Sequence, residues 1–229
     1  MSAQHPHTWR WLALLGLVLL SLGATASDYP QTVAALQERY ADEVQAHMKY
    51  GAYAKQALKE GYPNIAHLFR ALAASEAVHA RNFAALLRKL GVTPKTPDIA
   101  IQITSTRKHL QQATDVEADE IDKEYPAILA RIQPEGYQPA IESITWAWQA
   151  EKQHRDLIIK IRDAATTWFG LLVNRIEGEP SHYYVCQICG STLDQPPAAT
   201  CPICGHPAEN YQEVPWQPAA PREEEPSSW

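Results

Sequence analysis

Residues 75–79 read Ser-Glu-Ala-Val-His, and residues 151–154 read Glu-Lys-Gln-His. Each stretch places a glutamate three residues before a histidine, inside a long segment whose apolar residues recur at helical spacing. Residues three apart share one face of a helix, so each motif directs a carboxylate and an imidazole to the same point. Bundles of four helices that bind two metal ions combine two such motifs with one inward glutamate from each of the other two helices. The two motifs therefore predict a metal-binding helical bundle.

Four helical segments are predicted around the motifs, with an apolar stripe on each. Their predicted ranges are 32–58, 64–90, 105–132 and, after a turn at 134–136, a last helix that reaches about residue 172. Asn64 is a candidate N-cap for the second helix, and Gly91 ends that helix. Pro126 lies inside the third helix, where a kink or an interruption is expected. Short connections favour antiparallel neighbours, whereas the longer loop between the second and third helices would permit a crossover.

Glutamates lie on the inward stripe of all four helices. Taken singly, Glu43, Glu117 or Glu120 is most simply a solvated acid beside a core stripe, because most glutamates are exposed. Together they need another explanation, since each unneutralised carboxylate in a core costs on the order of several kcal/mol. Two divalent cations would remove that cost. Carboxylates with two imidazoles and no thiolate suit iron or manganese better than a soft metal, although affinity alone also admits zinc.

The helical motifs resemble those of the rubrerythrin family. Its first-helix signature is matched by Ala41-Asp42-Glu43-Val44-Gln45-Ala46, and its second-helix and fourth-helix motifs by residues 75–80 and 151–154. Residues 117–120, followed by Tyr125-Pro126, resemble the third-helix motif with its extra glutamate. The resemblance implies an all-α, ferritin-like four-helix bundle with a site for two non-haem irons. It also implies seven metal ligands, which are Glu43, Glu76, His79, Glu117, Glu120, Glu151 and His154.

Family membership would also assign roles to the ligands. Glu43 is then a terminal ligand, Glu76 and Glu151 bridge the irons, and Glu117 and His154 bind the same iron. The remaining histidines of the helices, His47, His67 and His109, match no ligand position and are left as surface or core residues.

Four residues are candidate catalytic residues by the same resemblance. Glu120 and His79 are implied to exchange places on one iron, with Glu120 bound in the diferric state and His79 in the diferrous state. An anionic ligand favours the higher charge of ferric iron and a neutral imidazole the lower charge of ferrous iron. Tyr50 and Tyr125 match tyrosines that hydrogen-bond the ligand carboxylates, although both could also be plain core aromatics.

All four cysteines lie in a separate C-terminal module. They form the pattern C-x2-C-x11-C-x2-C at Cys186, Cys189, Cys201 and Cys204, which is a strong signal for tetrahedral sulfur coordination of a metal. The spacing leaves iron or zinc open. The aromatic residues around the cysteines, Tyr183, Tyr184, Tyr211 and Trp216, resemble the packing of a rubredoxin-like domain, a small β/loop fold that binds one iron.

The first 26 residues have the pattern of a secretory signal. Arg10 is their only charged side chain, an apolar run follows it, and Ala24-Thr25-Ala26 is a candidate cleavage site. An exported, periplasmic protein is therefore predicted, with membrane association only if the signal is retained. An oxidising compartment also leaves disulfides open as an alternative to metal at the cysteines. The predicted domains are the signal peptide at 1–26, the bundle at 27–175, the rubredoxin-like domain at 176–216 and a disordered tail at 217–229.

The net charge and the resemblance to the rubrerythrin family together limit the possible functions. The formal net charge of −6 and the lack of a basic cluster argue against nucleic acid as a partner. The resemblance implies a peroxidase that reduces hydrogen peroxide to water, with electrons from an unidentified donor relayed through the Fe(Cys)4 centre. It also implies a head-to-tail homodimer, because the two centres of one chain lie far apart in the family.

Two other functions are left open. One is a ferritin-like protein that oxidises and stores iron, and the other is a structural metalloprotein with zinc at the cysteines and an idle bundle. Glu120 and the cysteine module favour the peroxidase over the storage protein, since a ferroxidase centre needs neither.

Overall fold

The structure, a computed structural model, describes residues 25–167 and 180–218, except for the side chains of residues 117–118 and 163–167. The predicted signal peptide, the last turn of the fourth helix and most of the predicted tail lie outside the described residues, so those statements stay predictions. Among the helices that are described, none is both long enough and apolar enough to cross a membrane.

The N-terminal body is a bundle of four helical segments. Its helices are α1 at Pro30–Lys59, α2 at Pro63–Lys89, α3 at Thr106–Asp119, α4 at Tyr125–Ile132 and α5 at Gln138–Thr167. A π-helical turn at Glu120–Glu124 joins α3 to α4, so these two form the third segment of the bundle. Helices α1 and α2 are joined by only three residues and pack along each other as a hairpin.

The start of α2 corrects one prediction. Asn64 was expected to be the N-cap, but α2 begins at Pro63 and Tyr62 occupies the N-cap position without a side-chain capping bond. Proline suits the first turn because its missing N–H would be unpaired there anyway. The predicted stop is confirmed: Gly91 has φ 78° and the N–H of Val92 donates to the carbonyl of Leu87.

The interruption expected near Pro126 takes the form of the π-turn. The N–H of Tyr125 donates to the carbonyl of Glu120, five residues back instead of four. Pro126 follows in the first turn of α4, where it needs no backbone donor. A π-turn inserts one extra residue into the helix, so it changes the direction of the side chains on either side. Glu120, a predicted ligand, begins this turn.

Two apolar clusters fill the bundle, one on each side of the predicted ligands. Along α2 the ligands Glu76 and His79 lie between Leu72 of one cluster and Phe83 of the other. Predicted ligands also separate the two clusters on α1, where Glu43 lies between Leu36 and Tyr50, and on α5, where the motif lies between Ala147 and Ile158. The predicted ligands therefore occupy one polar layer between two apolar layers.

The C-terminal module is a three-stranded antiparallel sheet with two cysteine loops. Its strands are β1 at Tyr184–Cys186, β2 at Thr192–Leu193 and β3 at Tyr211–Glu213, in the order β2-β1-β3. In each loop a glycine with positive φ follows the second cysteine, Gly190 at 82° and Gly205 at 71°. The glycine N–H donates back to the carbonyl of the first cysteine. Tyr183, Val185 and Val214 of the module join an apolar cluster of the bundle.

Candidate metal centres

Four buried side chains from three helices form the first candidate metal centre. Glu43, Glu76, His79 and Glu151 each offer one ligand atom, and these atoms all lie within 4.8 Å of one another. Helix α1 supplies the first, α2 the next two and α5 the last. Acids this deeply buried need a partner or a cation.

His154 extends this centre on the opposite side from His79. Its Nδ1 is 2.9 Å from Glu151 Oε2 and 3.3 Å from Glu76 Oε1. The Nδ1 of His79 is 3.0 Å from Glu76 Oε2 and 3.4 Å from Glu151 Oε1. Glu76 and Glu151 therefore each contact both imidazoles with different oxygens. That is the arrangement expected of two carboxylates that bridge a pair of ions.

The C-terminal module determines which ring nitrogen carries the proton when each imidazole is neutral. His79 Nε2 is 3.1 Å from the carbonyl oxygen of Cys189, which can only accept, so Nε2 carries the proton. The hydroxyl of Thr192 donates to the carbonyl of Gly190, so at 3.3 Å it accepts from His154 Nε2. In the neutral imidazole Nδ1 then carries no proton and faces the carboxylates, so it is free to bind a metal ion. Fixing the ring by a hydrogen bond on its other nitrogen is typical of metal-ligating histidines.

The two predicted tyrosines lie in different surroundings. The hydroxyl of Tyr125 donates to Glu43 Oε1 at 2.8 Å and is 3.4 Å from Glu151 Oε1, as expected of a tyrosine that orients ligand carboxylates. Tyr50 is fully buried and its ring stacks on Phe69 with centroids 6.0 Å apart. Its hydrogen bond to a carboxylate stays a prediction.

Of the two third-helix glutamates that were predicted as ligands, only Glu120 has a described side chain. Glu120 is half-buried and is not one of the four residues of the compact cluster. Burial, followed by the negative charges of Glu151 and Glu43, raises the pKa of Glu120 well above its ordinary value. The side chain of Glu117 lies outside the described residues, so its role as a ligand stays a prediction.

The acids and imidazoles of the centre have perturbed pKa values when no cation is bound. Burial raises the pKa of Glu43 to about 7, although the charge of His79 opposes the shift. Burial would lower the pKa of His154, but the charges of Glu76 and Glu151 outweigh it and raise the pKa to about 10. At neutral pH the metal-free centre therefore holds protons that a metal ion must displace.

Metal uptake should release these protons. At pH 7 we expect the metal-free protein to release roughly one more proton per chain than a His154→Asn variant, because the imidazole with a pKa of about 10 is protonated before uptake. Affinity should rise with pH for the same reason. Anaerobic titration with Fe(II) in a weak buffer with a pH indicator measures the release. The cysteine module is the same in both proteins and cancels in the difference, so equal release would contradict the prediction.

The four cysteines form the second candidate metal centre. Their sulfur atoms all lie within 4.8 Å of one another, with Cys189 and Cys201 at 3.5 Å and Cys186 and Cys204 at 3.9 Å. A tetrahedral site with metal–sulfur bonds of ~2.3 Å has sulfur–sulfur edges of about 3.8 Å, so these separations fit. All four are free thiols and form no disulfide. The hydroxyl of Tyr211 donates to Cys201 Sγ at 3.2 Å.

Comparisons with known proteins agree with both centres. The family model for rubrerythrin matches residues 35–161, and the model for the rubredoxin-like domain of rubrerythrin matches residues 184–212. Rubrerythrin-2 of Clostridium acetobutylicum is 30% identical over 77% of this chain and 93% of its own length. Nigerythrin of Nitratidesulfovibrio vulgaris is 30% identical over 79% of this chain and 85% of its own length.

The chain belongs to the rubrerythrin family. Among solved structures, nigerythrin in its fully reduced, all-ferrous state covers 90% of this chain and 100% of its own, with 25% identity and a TM-score of 0.69. A bacterioferritin of Desulfovibrio desulfuricans, 18% identical, has a TM-score of 0.61 over 67% of this chain and shares the fold. The predicted ferritin-like bundle with a rubredoxin-like module is confirmed.

The residues of this rubrerythrin-family chain fit the iron centres of the family. The bundle provides the glutamate and histidine cluster of the di-iron site, and the module provides the four-cysteine site. Oxygen and imidazole donors suit iron in the first site, and four thiolates suit a single iron or zinc in the second. The family to which the chain belongs assigns two irons to the first site and one iron to the second, where the cysteines would also accept zinc.

The module lies directly on the di-iron site of its own chain. The carbonyl of Cys189, a ligand residue of one centre, accepts the hydrogen bond of His79, a ligand residue of the other. Next to this contact, Ser75 Oγ donates to the carbonyl of Gly190 at 2.6 Å. The expectation that the two centres of one chain lie far apart is therefore wrong for this structure, because direct hydrogen bonds connect them.

Several residues of the bundle dock the module, a role that the sequence did not predict for them. Asn64 accepts hydrogen bonds from the backbone of Ser181 and from Trp216, and His67 bonds to Val214 and Ser181. Gln153 Oε1 accepts two bonds from the module, from Ser191 Oγ and from the N–H of Thr192. Ser75 and Gln153 each lie next to a predicted ligand in the sequence, and this position was the only sequence feature that could have indicated their role in docking. The others point to partners more than 100 residues away.

Proposed function

We propose that this protein is a peroxidase that reduces hydrogen peroxide to water at the di-iron site, with electrons that arrive through the four-cysteine site. One observation supports this proposal above the others, the hydrogen bond between His79 Nε2 and the carbonyl oxygen of Cys189. It joins a ligand residue of each centre without an intervening residue. A storage protein that oxidises Fe(II) with dioxygen has no need of a redox module at this position.

The side chains of the site have separable tasks in this reaction. When bound, the two irons supply the two electrons that cleave the oxygen–oxygen bond. Glu76 and Glu151 would hold the pair together with the two imidazoles, which present Nδ1 because the module fixes Nε2. The hydroxyl of Tyr125 donates to Glu43 Oε1 at 2.8 Å and so orients this carboxylate.

The module also shields the site. Tyr183, Val185 and Val214 of the module pack in one apolar cluster with residues of the bundle, and both histidine rings are fully buried where they contact the cysteine loop and β2. Exclusion of water strengthens the electrostatic interactions in the site. The electron donor to the module is not identified, and a homodimer stays a prediction.

The proposal is tested by the choice of oxidant. Protein that holds iron at both centres, fully reduced without oxygen, is mixed in stopped flow with peroxide or with dioxygen, and the red ferric-thiolate absorption is followed. We expect fast return of the colour with peroxide and slow return with dioxygen. A faster response to dioxygen would instead support iron oxidation and storage.

Replacing Glu120 tests the implied ligand exchange. In Glu120→Ala we expect the iron content to remain while fast peroxide turnover falls by about 100-fold or more, the range lost when an interaction of the transition state is removed. Glu142→Ala, an exposed glutamate on α5, is the control and should turn over normally. Iron analysis and steady-state assays measure both properties. Wild-type turnover in Glu120→Ala would exclude the exchange.

A further inference from the structure

A chain of hydrogen-bonded side chains leads from the four-cysteine site to the bundle, and the proposed mechanism does not use it. The hydroxyl oxygen of Tyr211 lies 3.2 Å from Cys201 Sγ and 2.7 Å from Ser191 Oγ. Ser191 Oγ lies in turn 2.9 Å from Gln153 Oε1. Gln153 comes directly before His154 on α5, so the chain ends beside a predicted ligand of the di-iron site. One hydroxyl therefore contacts a metal-binding sulfur and is also connected to the bundle.

The directions of these hydrogen bonds follow from the backbone. The N–H of Thr192 can only donate, and it lies 3.0 Å from the same atom of Gln153, so that atom is the amide oxygen. An amide oxygen can only accept, so Ser191 donates its one hydrogen to Gln153. Ser191 then faces Tyr211 as an acceptor. The one hydrogen of the Tyr211 hydroxyl therefore has two competing acceptors, Ser191 Oγ and Cys201 Sγ.

This competition matters because the charge on the sulfur changes with the redox state of the metal. Reduction of ferric to ferrous iron adds one negative charge to the unit of metal and thiolates. A more negative sulfur is a stronger acceptor, since hydrogen bonds to charged groups are stronger than neutral ones. Hydrogen bonds to the sulfurs are among the factors that set the reduction potential of iron–thiolate sites. A hydrogen bond from Tyr211 to Cys201 therefore stabilises the reduced state and raises the potential.

We propose that the Tyr211 hydroxyl raises the reduction potential of the four-cysteine iron, and that Gln153 of the bundle limits this rise by making Ser191 a competing acceptor. On reduction the shared hydrogen turns from Ser191 toward Cys201 and stays bonded to the tyrosine oxygen. The step takes up one electron, supplied by the donor to the module, and no proton. Gln153 thus keeps the potential of the docked module low, which favours electron flow to the di-iron site. Only this direction of flow rests on the proposed function.

The experiment is a redox titration of the full chain with iron at both centres, in which the red ferric-thiolate absorption reports the cysteine site. Tyr211→Phe keeps the ring and removes the hydroxyl, so we expect a lower midpoint potential. A hydrogen bond that changes the reduction equilibrium by a factor of about ten corresponds to a shift of ~59 mV for one electron. Ser191→Ala removes the competing acceptor, so in this variant the potential should rise.

The double variant decides whether the two residues act through the same hydrogen. In the Tyr211→Phe background there is no hydroxyl hydrogen to share, so Ser191→Ala should not change the potential further. Gln153→Leu frees the hydroxyl of Ser191 to donate to Tyr211, and it should raise the potential of wild type but not that of Tyr211→Phe. A potential that is unchanged by Tyr211→Phe, or a rise with Ser191→Ala that persists without the tyrosine hydroxyl, would overturn the proposal.

Tyr184→Phe is the matched control. Tyr184 is half-buried on β1 of the same sheet, and within the described part of the chain its hydroxyl bonds to none of the four cysteines. It should leave the potential unchanged, and a shift equal to that of Tyr211→Phe would count against the proposal.

Two further observations separate this role from metal binding and from the proposed function. Tyr211→Phe should keep its iron, and loss of the ferric-thiolate colour would overturn the proposal, because the hydroxyl would then be needed to hold the metal. The titration contains no peroxide. If wild type fails to react with peroxide, the proposed function fails while the shifts in potential can still be observed.

Discussion

Gly190→Ala is expected to uncouple the two iron centres. A Cβ at this position would overlap Nε2 of His79 and lie 2.7 Å from its Cδ2 and 2.8 Å from Ser75 Oγ. These are the atoms that hold the module to the di-iron site, so the loop must move away to relieve the overlap. Overpacking of this kind costs about 1–3 kcal/mol, which corresponds to roughly 5- to 150-fold in the population of the docked state.

The second cysteine loop provides the matched control. Gly205 has φ 71° against 82° for Gly190, but a Cβ there would meet nothing within 4 Å. Both substitutions therefore strain the backbone similarly, and only one disturbs the contact with His79. Stopped-flow measurement of the rate at which peroxide restores the ferric-thiolate colour should show a large loss in Gly190→Ala and a small one in Gly205→Ala. Equal rates in the two variants would mean that the Cys189 contact does not carry electrons.

Glu151→Gln is expected to abolish iron binding in the bundle and to destabilise the metal-free protein. Glu151 is 1% exposed, and its two oxygens face His79 and His154 separately. The amide has the same shape but can neither bridge two cations nor balance the imidazoles. Removal of one partner from a buried charge pair typically costs about 3–5 kcal/mol.

Glu142→Gln is the control for this prediction, because Glu142 is exposed on the same helix. Iron analysis after anaerobic loading should give only the cysteine-site iron in Glu151→Gln and the full content in the control. Urea unfolding of the metal-free proteins gives the loss of stability. The bridging role would be refuted by a Glu151→Gln protein that retains the iron pair with normal affinity.

Local spacing was sufficient to predict most of the di-iron site. Glu76 with His79 and Glu151 with His154 converge because residues three apart share a helical face, whatever the helices pack against. The Cys-x-x-Cys loops have the same property, since each closes on itself through a glycine. Helix bounds were close as well, with the exception of the N-cap of α2.

Contacts between segments that are distant in the sequence could not be predicted from local spacing. The roles of Asn64 and His67 depend on partners in the module, and the ion pair of Arg39 with Glu124 depends on the π-turn that brings Glu124 near α1. Pro126 signalled a break in the third helix, but not that the break would be a π-turn that begins at a predicted ligand.

The sequence by itself determined the helices and cysteine loops and the spacing within them that brings Glu76 to His79 and Glu151 to His154, because these depend on periodicity over a few residues. Only the tertiary structure decided that the cysteine loop lies on the di-iron site of the same chain and fixes the Nε2 protons of both histidines. That docking depends on the shape and the hydrogen bonds of surfaces more than 100 residues apart in the chain, such as His79 and Cys189, and no local pattern encodes it.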